Sequence, residues 1–202
     1  MRVTKSPEER KAEMIAAARE LFEQNGIGDT SVSQIVRHVG VAQGLFYYYF
    51  RSKDEVVEAV ADQILEELDR ATREIIDDSN TDFYQKLLAF IDLYFSKIDS
   101  FQKGLFNEIC DPCHASLKKF IYDRALAMNR DHLGKIIELG TDQGILKFRY
   151  PDLMITMIIK GIGSLIQERQ PTKEVIMILV EQGLNLPNGS RAKRLPRPAA
   201  AT

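Results

Sequence analysis

TSVSQIVRHVGVAQGLFYYYF, residues 30–50, is the stretch whose reading decides the fold. Val32, Ile35, Val36 and Val39 recur at i, i+3, i+4 and i+7, one face of a short helix that Thr30 or Ser31 can cap. Gly40 ends it. After a tight turn, a further short helix starts near Ala42 and runs through Tyr47, Tyr48 and Tyr49 to Phe50. Successive residues on a helix point about 100° apart, so the tyrosines cannot share one environment. Phe46 and Phe50, spaced i and i+4, are expected in the core, and Tyr49 along the side or toward the next helix. Gln43, Gly44, Leu45 and Tyr48 are expected on the exposed start of the helix.

Outward from this stretch the chain is helical in both directions. Upstream, Met14, Ala18, Leu21 and Phe22 fall on one face, and Asn25-Gly26 stops the helix with a residue suited to a left-handed conformation. Downstream, Ser52 is an N-cap for a long fourth helix with Asp54 and Glu55 in its first turn, where carboxylates suit the helix dipole. That helix buries Val56, Val57, Val60, Ile64 and Leu68 and frays near Asp77-Asp78-Ser79-Asn80. Further helices are expected at about 82–99, 101–111, 114–140, 151–168 and 172–184, punctuated by Gly104, Pro112, Gly144, Pro151 and Pro171. No segment alternates with period two for long enough to suggest a sheet. The tail PNGSRAKRLPRPAAAT is basic, rich in Pro and Ala and aperiodic, hence expected to be disordered.

Composition excludes several classes. A chain of 202 residues with 45% hydrophobic and 28% charged residues suits a soluble globular protein. No run approaches the roughly 18 apolar residues of a membrane span, and MRVTKSPEERKAEM has no apolar signal core. Two cysteines and no export signal point to reduced thiols in the cytoplasm. Charge is unevenly spread: residues 1–53 hold 8 Lys/Arg against 6 Asp/Glu, residues 54–190 hold 15 against 23, and residues 191–202 hold 4 and none. A mildly basic head on an acidic body suits a polyanion-binding unit joined to something with another task, although charge alone does not decide it.

Two short helices flanking a Gly-containing turn describe a helix-turn-helix, whose second helix enters the major groove of DNA. The N-terminal region resembles the TetR family of transcriptional regulators: AAARELF (16–22), Gly26, TSVSQIV (30–36), Gly40-Val41, Tyr47, Phe50 and Lys53-Asp54-Glu55 stand where that family carries its pattern. The likeness covers about the first 60 residues; beyond them it is one of helicity and length. It implies an all-α protein in which a three-helix head is joined by a long fourth helix to a larger helical body. The domains are then 1–52 for DNA binding, 53–186 for effector binding and dimerisation, and 187–202 as the tail. It also implies phosphate contacts from Thr30 at the N-cap, Ser31, Tyr47 and Lys53, and base contacts from Gln43 and Tyr48. Gln43 can pair with adenine, and Leu45 can lie against a thymine methyl. Gly44 lies among them, and Ser33 and Arg37 are further candidates on the outward side of the second helix. Val36 replaces a usual Ala, Leu45 stands where a small hydroxyl residue is common, and Tyr48 and Tyr49 stand where His is frequent. These departures leave the fold intact and bear on the operator sequence.

The body is expected to hold a small-molecule effector, apolar or aromatic, near a concentration of aromatics from which Phe90, Tyr94, Phe106 and Phe120 are the candidate wall. PDLMITMIIKGIGSLIQ (151–167), apolar nearly all round, reads as a helix buried on several sides. With EVIMILVEQGL (174–184) it fits the family's dimerisation bundle, so a homodimer through about 151–184 on a pseudo-palindromic double-stranded operator is expected. CDPCH (110–114) admits haem attachment, a zinc half-site, a redox pair or a Pro-broken turn; a regulator sensing thiol oxidation or metal through Cys110 and Cys113 is therefore an alternative. No cofactor or resident metal is expected. No phosphate loop, H-E-x-x-H or G-x-S-x-G supports an enzyme. A helical ligand-binding protein or enzyme with a coincidental helix-turn-helix is the competing reading.

Overall fold

Eight helices account for the computed structural model, which describes residues 5–102, 115–169 and 171–186, and no strand occurs among them. They are α1 (Pro7–Asn25), α2 (Val32–Val39), α3 (Gln43–Tyr49), α4 (Lys53–Asp77), α5 (Phe83–Gln102), α6 (Ala115–Asp142), α7 (Pro151–Arg169) and α8 (Lys173–Gly183). The all-α expectation holds. The helix expected at 101–111 falls largely outside the described residues, as do CDPCH and the tail. α5 passes the expected stop at 99 and reaches Gln102, because nothing before Gly104 breaks the periodicity.

The chain divides into two compact units, residues 1–68 with 98–123 and residues 69–97 with 124–202. In the first, α1 begins at Ser6, whose hydroxyl accepts from Glu9 N while the Glu9 carboxylate accepts from Ser6 N, a reciprocal cap completed by Pro7 at the first helical position. Gly26 closes α1 with φ 87 and ψ 163, an extended rather than left-handed helical exit. α1 packs on α2 and α2 on α3. Met14, Ala18, Phe22, Ile27, Ile35, Phe46, Phe50, Val56, Val57 and Val60 are buried. Truncating one of these phenylalanines to Ala would cost about 3–5 kcal/mol, so the head depends on them. Arg19 joins α1 to α4 through Glu67 at 2.6 Å, and that hydrogen bond raises its pKa further.

The second unit has its own core, in which Phe83, Leu87 and Ile91 of α5 join Leu133, Ile136 and Ile137 of α6, Ile155 and Ile158 of α7, and Ile176, Met177 and Val180 of α8. Gly140 is required at one crossing, since a Cβ there would lie 2.7 Å from the Phe83 ring and 2.9 Å from Leu146. Where α4 ends, Lys86 of α5 is 5% exposed and its Nζ donates to the carbonyls of Ile75 (3.0 Å), Ile76 (2.7 Å) and Asp78 (2.5 Å). The terminal carbonyls of a helix have no intrahelical donor, so this ammonium satisfies them and joins α4 to α5. Among the described residues, no helix is long and apolar enough to cross a membrane.

Candidate nucleic-acid interface

The turn between α2 and α3 is set by local chemistry. Ser31 is the N-cap of α2: its Oγ accepts from Gln34 N at 3.2 Å, and Gln34 Oε1 accepts from Ser31 N at 2.7 Å. Such a cap contributes about 1 kcal/mol. The partner residue Gln34 is legible in S-V-S-Q, the spacing of a capping box. Gly40 ends α2 at φ 75 and ψ 36, left-handed helical, and a Cβ there would meet nothing within 4 Å. The glycine is therefore needed for its backbone, not for space. Arg37 and His38 lie in the last turn of α2, and His38 Nε2 stands 3.2 Å from Glu20 of α1.

α3 divides its aromatics as the 100° rotation requires. Phe46 is fully buried and packs against Phe50 with ring centroids 5.5 Å apart, anchoring the helix. On the opposite side Tyr47 is 55% and Tyr48 75% exposed. Gln43 and Gly44 are exposed one turn before them, giving a continuous face of Gln43, Gly44, Tyr47 and Tyr48. A Cβ at Gly44 would meet nothing within 4 Å, so this face is open to a close approach. Leu45 is half-buried at its edge, and Tyr49 packs edge-on against Tyr48 at 4.9 Å. Ser33 and Arg37 are exposed on α2. A flat, exposed pair of phenols beside an amide and a bare glycine can offer hydrogen bonds and stacking to a groove without moving its own anchors.

Two of the expected phosphate contacts are placed differently. Thr30 is 1% exposed and its hydroxyl donates inward to the carbonyls of Gly26 (2.7 Å) and Leu21 (3.2 Å). It precedes the cap, and its side chain closes the α1–α2 loop instead of facing out. Lys53 is half-buried, and its Nζ donates to the carbonyls of Ile27 (2.7 Å) and Thr30 (3.2 Å), with Gly28 O at 3.5 Å. Its charge thus holds the same loop from the start of α4. Neither arrangement is visible in sequence: the carbonyls met by Lys53 lie 23 to 26 residues earlier, and those met by Thr30 are placed by the fold of the α1–α2 loop.

In the second unit, Phe90 and Tyr94 of the expected effector wall stand together, with ring centroids 4.5 Å apart. Phe120 belongs to the first unit and is 42% exposed, while Phe106 lies outside the described residues. The same unit buries polar residues that carry no local sequence signal. Burial pushes the Tyr94 phenol well above its ordinary range, and a hydrogen bond with Thr72 works against that shift. His132 is 1% exposed, with its Nε2 2.9 Å from Asp69 Oδ1. Burial lowers the His132 pKa, with Asp69 and Asp131 opposing. Among the described residues, no three His, Cys, Asp or Glu side chains are grouped to hold a metal.

Residues 14–60, which span the head and the first turns of α4, match the family described as bacterial regulatory proteins, tetR family. Over 166 residues the chain is 24% identical to the uncharacterised HTH-type transcriptional regulator YvaF of Bacillus subtilis (strain 168), covering 79% of this chain and 83% of that protein. It is 37% identical to the HTH-type transcriptional regulator BetI of Pseudomonas paraeruginosa over 65 residues, 32% of this chain and 33% of that one. A transcriptional regulator of Cytophaga hutchinsonii has a similar fold, with a TM-score of 0.71 at 16% identity over 85% of this chain and 95% of that one.

Proposed function

We propose that this chain, whose residues 14–60 match the tetR family of bacterial regulatory proteins, is a DNA-binding transcriptional regulator that acts as a homodimeric repressor, released from a pseudo-palindromic operator by a small molecule bound in its body. The observation that carries this reading is the exposed face of α3, where Gln43, Gly44, Tyr47 and Tyr48 stand clear of a core anchored by Phe46 and Phe50. In it, Tyr47 holds a phosphate, Gln43 and Tyr48 read base edges, Leu45 meets an apolar base group, and Ser31, Ser33 and Arg37 of α2 flank the groove. Residues 1–52 read DNA, and residues 53–186 bind the effector and dimerise. The site of action is the cytoplasm, and the role is regulatory, not enzymatic.

A single head of this kind buries only roughly 600–1,000 Å² on DNA, so two are needed for operator affinity. The dimer surface is supported by α7 and α8. Leu153 (68% exposed) and Met157 (60%) stand one turn apart on α7, and Val175 (44%), Ile178 (40%) and Leu179 (38%) present the matching apolar side of α8. α7 is thus open on one side in the isolated chain, the side a partner copy would cover. A contiguous apolar face of this kind marks an interface. Effector release requires the ligand to prefer the DNA-free conformation by roughly 10⁴-fold, about 5.5 kcal/mol, to move a mostly bound population to a mostly free one.

Fluorescence anisotropy with the promoter DNA beside the protein's own coding region tests this reading. Saturable binding is expected, steeply weakened by salt, with Gln43→Ala relaxing the preference at one base pair by about 1–3 kcal/mol. Binding that is indifferent to DNA sequence and to Gln43→Ala and Tyr48→Ala alike refutes the assignment of α3.

A further inference from the structure

Within the second unit, α4, α5 and α6 turn polar side chains toward an interior otherwise built from Ile, Leu and Phe. His132 of α6 is 1% exposed, and among the described residues its polar contact is Nε2 to Asp69 at 2.9 Å. Nε2 must carry a hydrogen to meet the Asp69 carboxylate at 2.9 Å, and burial disfavours the charged ring, which leaves Nδ1 without one. Nδ1 is then a lone pair, and among the described residues it has no hydrogen-bond partner. Asn129 lies three residues earlier on the same face of α6, and its buried Oδ1 also has no partner among them. Two buried acceptors one turn apart, both unpaired, carry a desolvation cost that a donor would remove. Asp69 is itself met by Arg73 at 2.8 Å, so the cluster offers no uncompensated negative charge to a cation. A carboxylate would bring only further acceptors.

Resting on the reading of the body as an effector domain, we propose that Asn129 Oδ1 and His132 Nδ1 are the acceptor pair for the effector, which is a neutral molecule with an apolar body and a hydroxyl donor. The paired rings of Phe90 and Tyr94 on α5, in the same unit and with Tyr94 within reach of the Asp69 charge, supply the apolar wall. The effector class this pair fits is therefore an alcohol or a phenol; a carboxylate would set further acceptors against Asn129 Oδ1 and His132 Nδ1, and Asp69, already met by Arg73, has no charge to spare for an ammonium.

Matched probes test this on the full-length protein by calorimetry: phenol against anisole and benzoate, and 1-octanol against methyl heptyl ether. At least one hydroxyl compound is expected to bind about tenfold tighter than its ether, the equivalent of one hydrogen bond, and benzoate not to bind. Asn129→Leu, which keeps the helix and adds no buried polar group, is expected to bring alcohol and ether within about threefold of each other. On addition of the bound alcohol, the nitrogen resonance of His132 Nδ1 shifts in the wild type as its lone pair is engaged. Equal binding of alcohol and ether, failure of both alcohols to bind, or an unchanged preference in Asn129→Leu overturns the acceptor pair. Operator anisotropy is read separately: an alcohol that binds with the expected preference but leaves DNA bound overturns the effector reading and not the acceptor pair.

Discussion

Replacing Lys53 by Met separates two roles for the same side chain. The ammonium donates to Ile27 O at 2.7 Å and to Thr30 O at 3.2 Å, while Gly28 O at 3.5 Å is too long to contribute much. Hydrogen bonds to a charged partner contribute about 1.5–3 kcal/mol each. Lys53 is only half-buried, so water can take over one carbonyl, and the combined loss is about 2 kcal/mol. Met keeps the aliphatic stem and its packing, so little else changes. For a chain of 150–250 residues each kcal/mol moves Tm by about 2–4 °C, which gives a fall of about 4–8 °C. The assay is calorimetric melting at fixed protein concentration, paired with operator affinity measured across a salt series. A lysine that anchors the 27–30 loop lowers Tm and weakens operator binding while leaving the salt slope nearly as it was. A lysine that contacts phosphate leaves Tm alone and reduces the slope by about 0.9. An unchanged Tm with a reduced slope would refute the reasoning offered for this residue.

Gly40→Ala should destabilise the head by about 1–2 kcal/mol in chemical denaturation, wholly through the backbone, since the added methyl meets nothing within 4 Å; no cost would mean that the turn relaxes out of its left-handed conformation. Combining Leu153→Glu with Ile178→Glu places charge on both exposed apolar helices, and sedimentation should then find a monomer whose helical circular dichroism is intact; a persistent dimer would place the interface elsewhere. Stability should fall with acid through His132: its folded pKa is depressed, so its contribution is complete above the unfolded value of about 6.5 and is lost as pH falls from there toward the folded value. Urea midpoints measured between about pH 8 and pH 5 should show that fall in the wild type and a flatter profile in His132→Gln, and identical profiles would dismiss it.

What the sequence made legible is what local chemistry controls. The i, i+3, i+4 pattern of α2, its terminal glycine and the rotation of the α3 aromatics depend on residues within one or two turns, and the helices formed where that pattern placed them. Thr30 and Ser31 are adjacent hydroxyls with equal claim to the cap; which one takes it depends on where Gly26 O and Leu21 O lie, and so on the α1–α2 loop. Lys53 was legible as a cation at a helix start, but not as a donor to a loop 23 to 26 residues earlier. The Asp69–His132 contact joins positions 63 apart in number, and neither residue has a local signal to set it apart from a solvated charge. α7 read as apolar throughout, and composition alone does not say which of its sides α8 covers.

The corner between α4 and α5 has a consequence for chemical labelling. An amine reagent needs free access to the lysine nitrogen, and Lys86 does not offer it, being nearly inaccessible and donating to three carbonyls at once. It can be acylated only during moments when that corner opens. Set against an exposed lysine such as Lys119, its acylation rate is a built-in clock for the opening of a single joint, read by mass spectrometry without altering a residue.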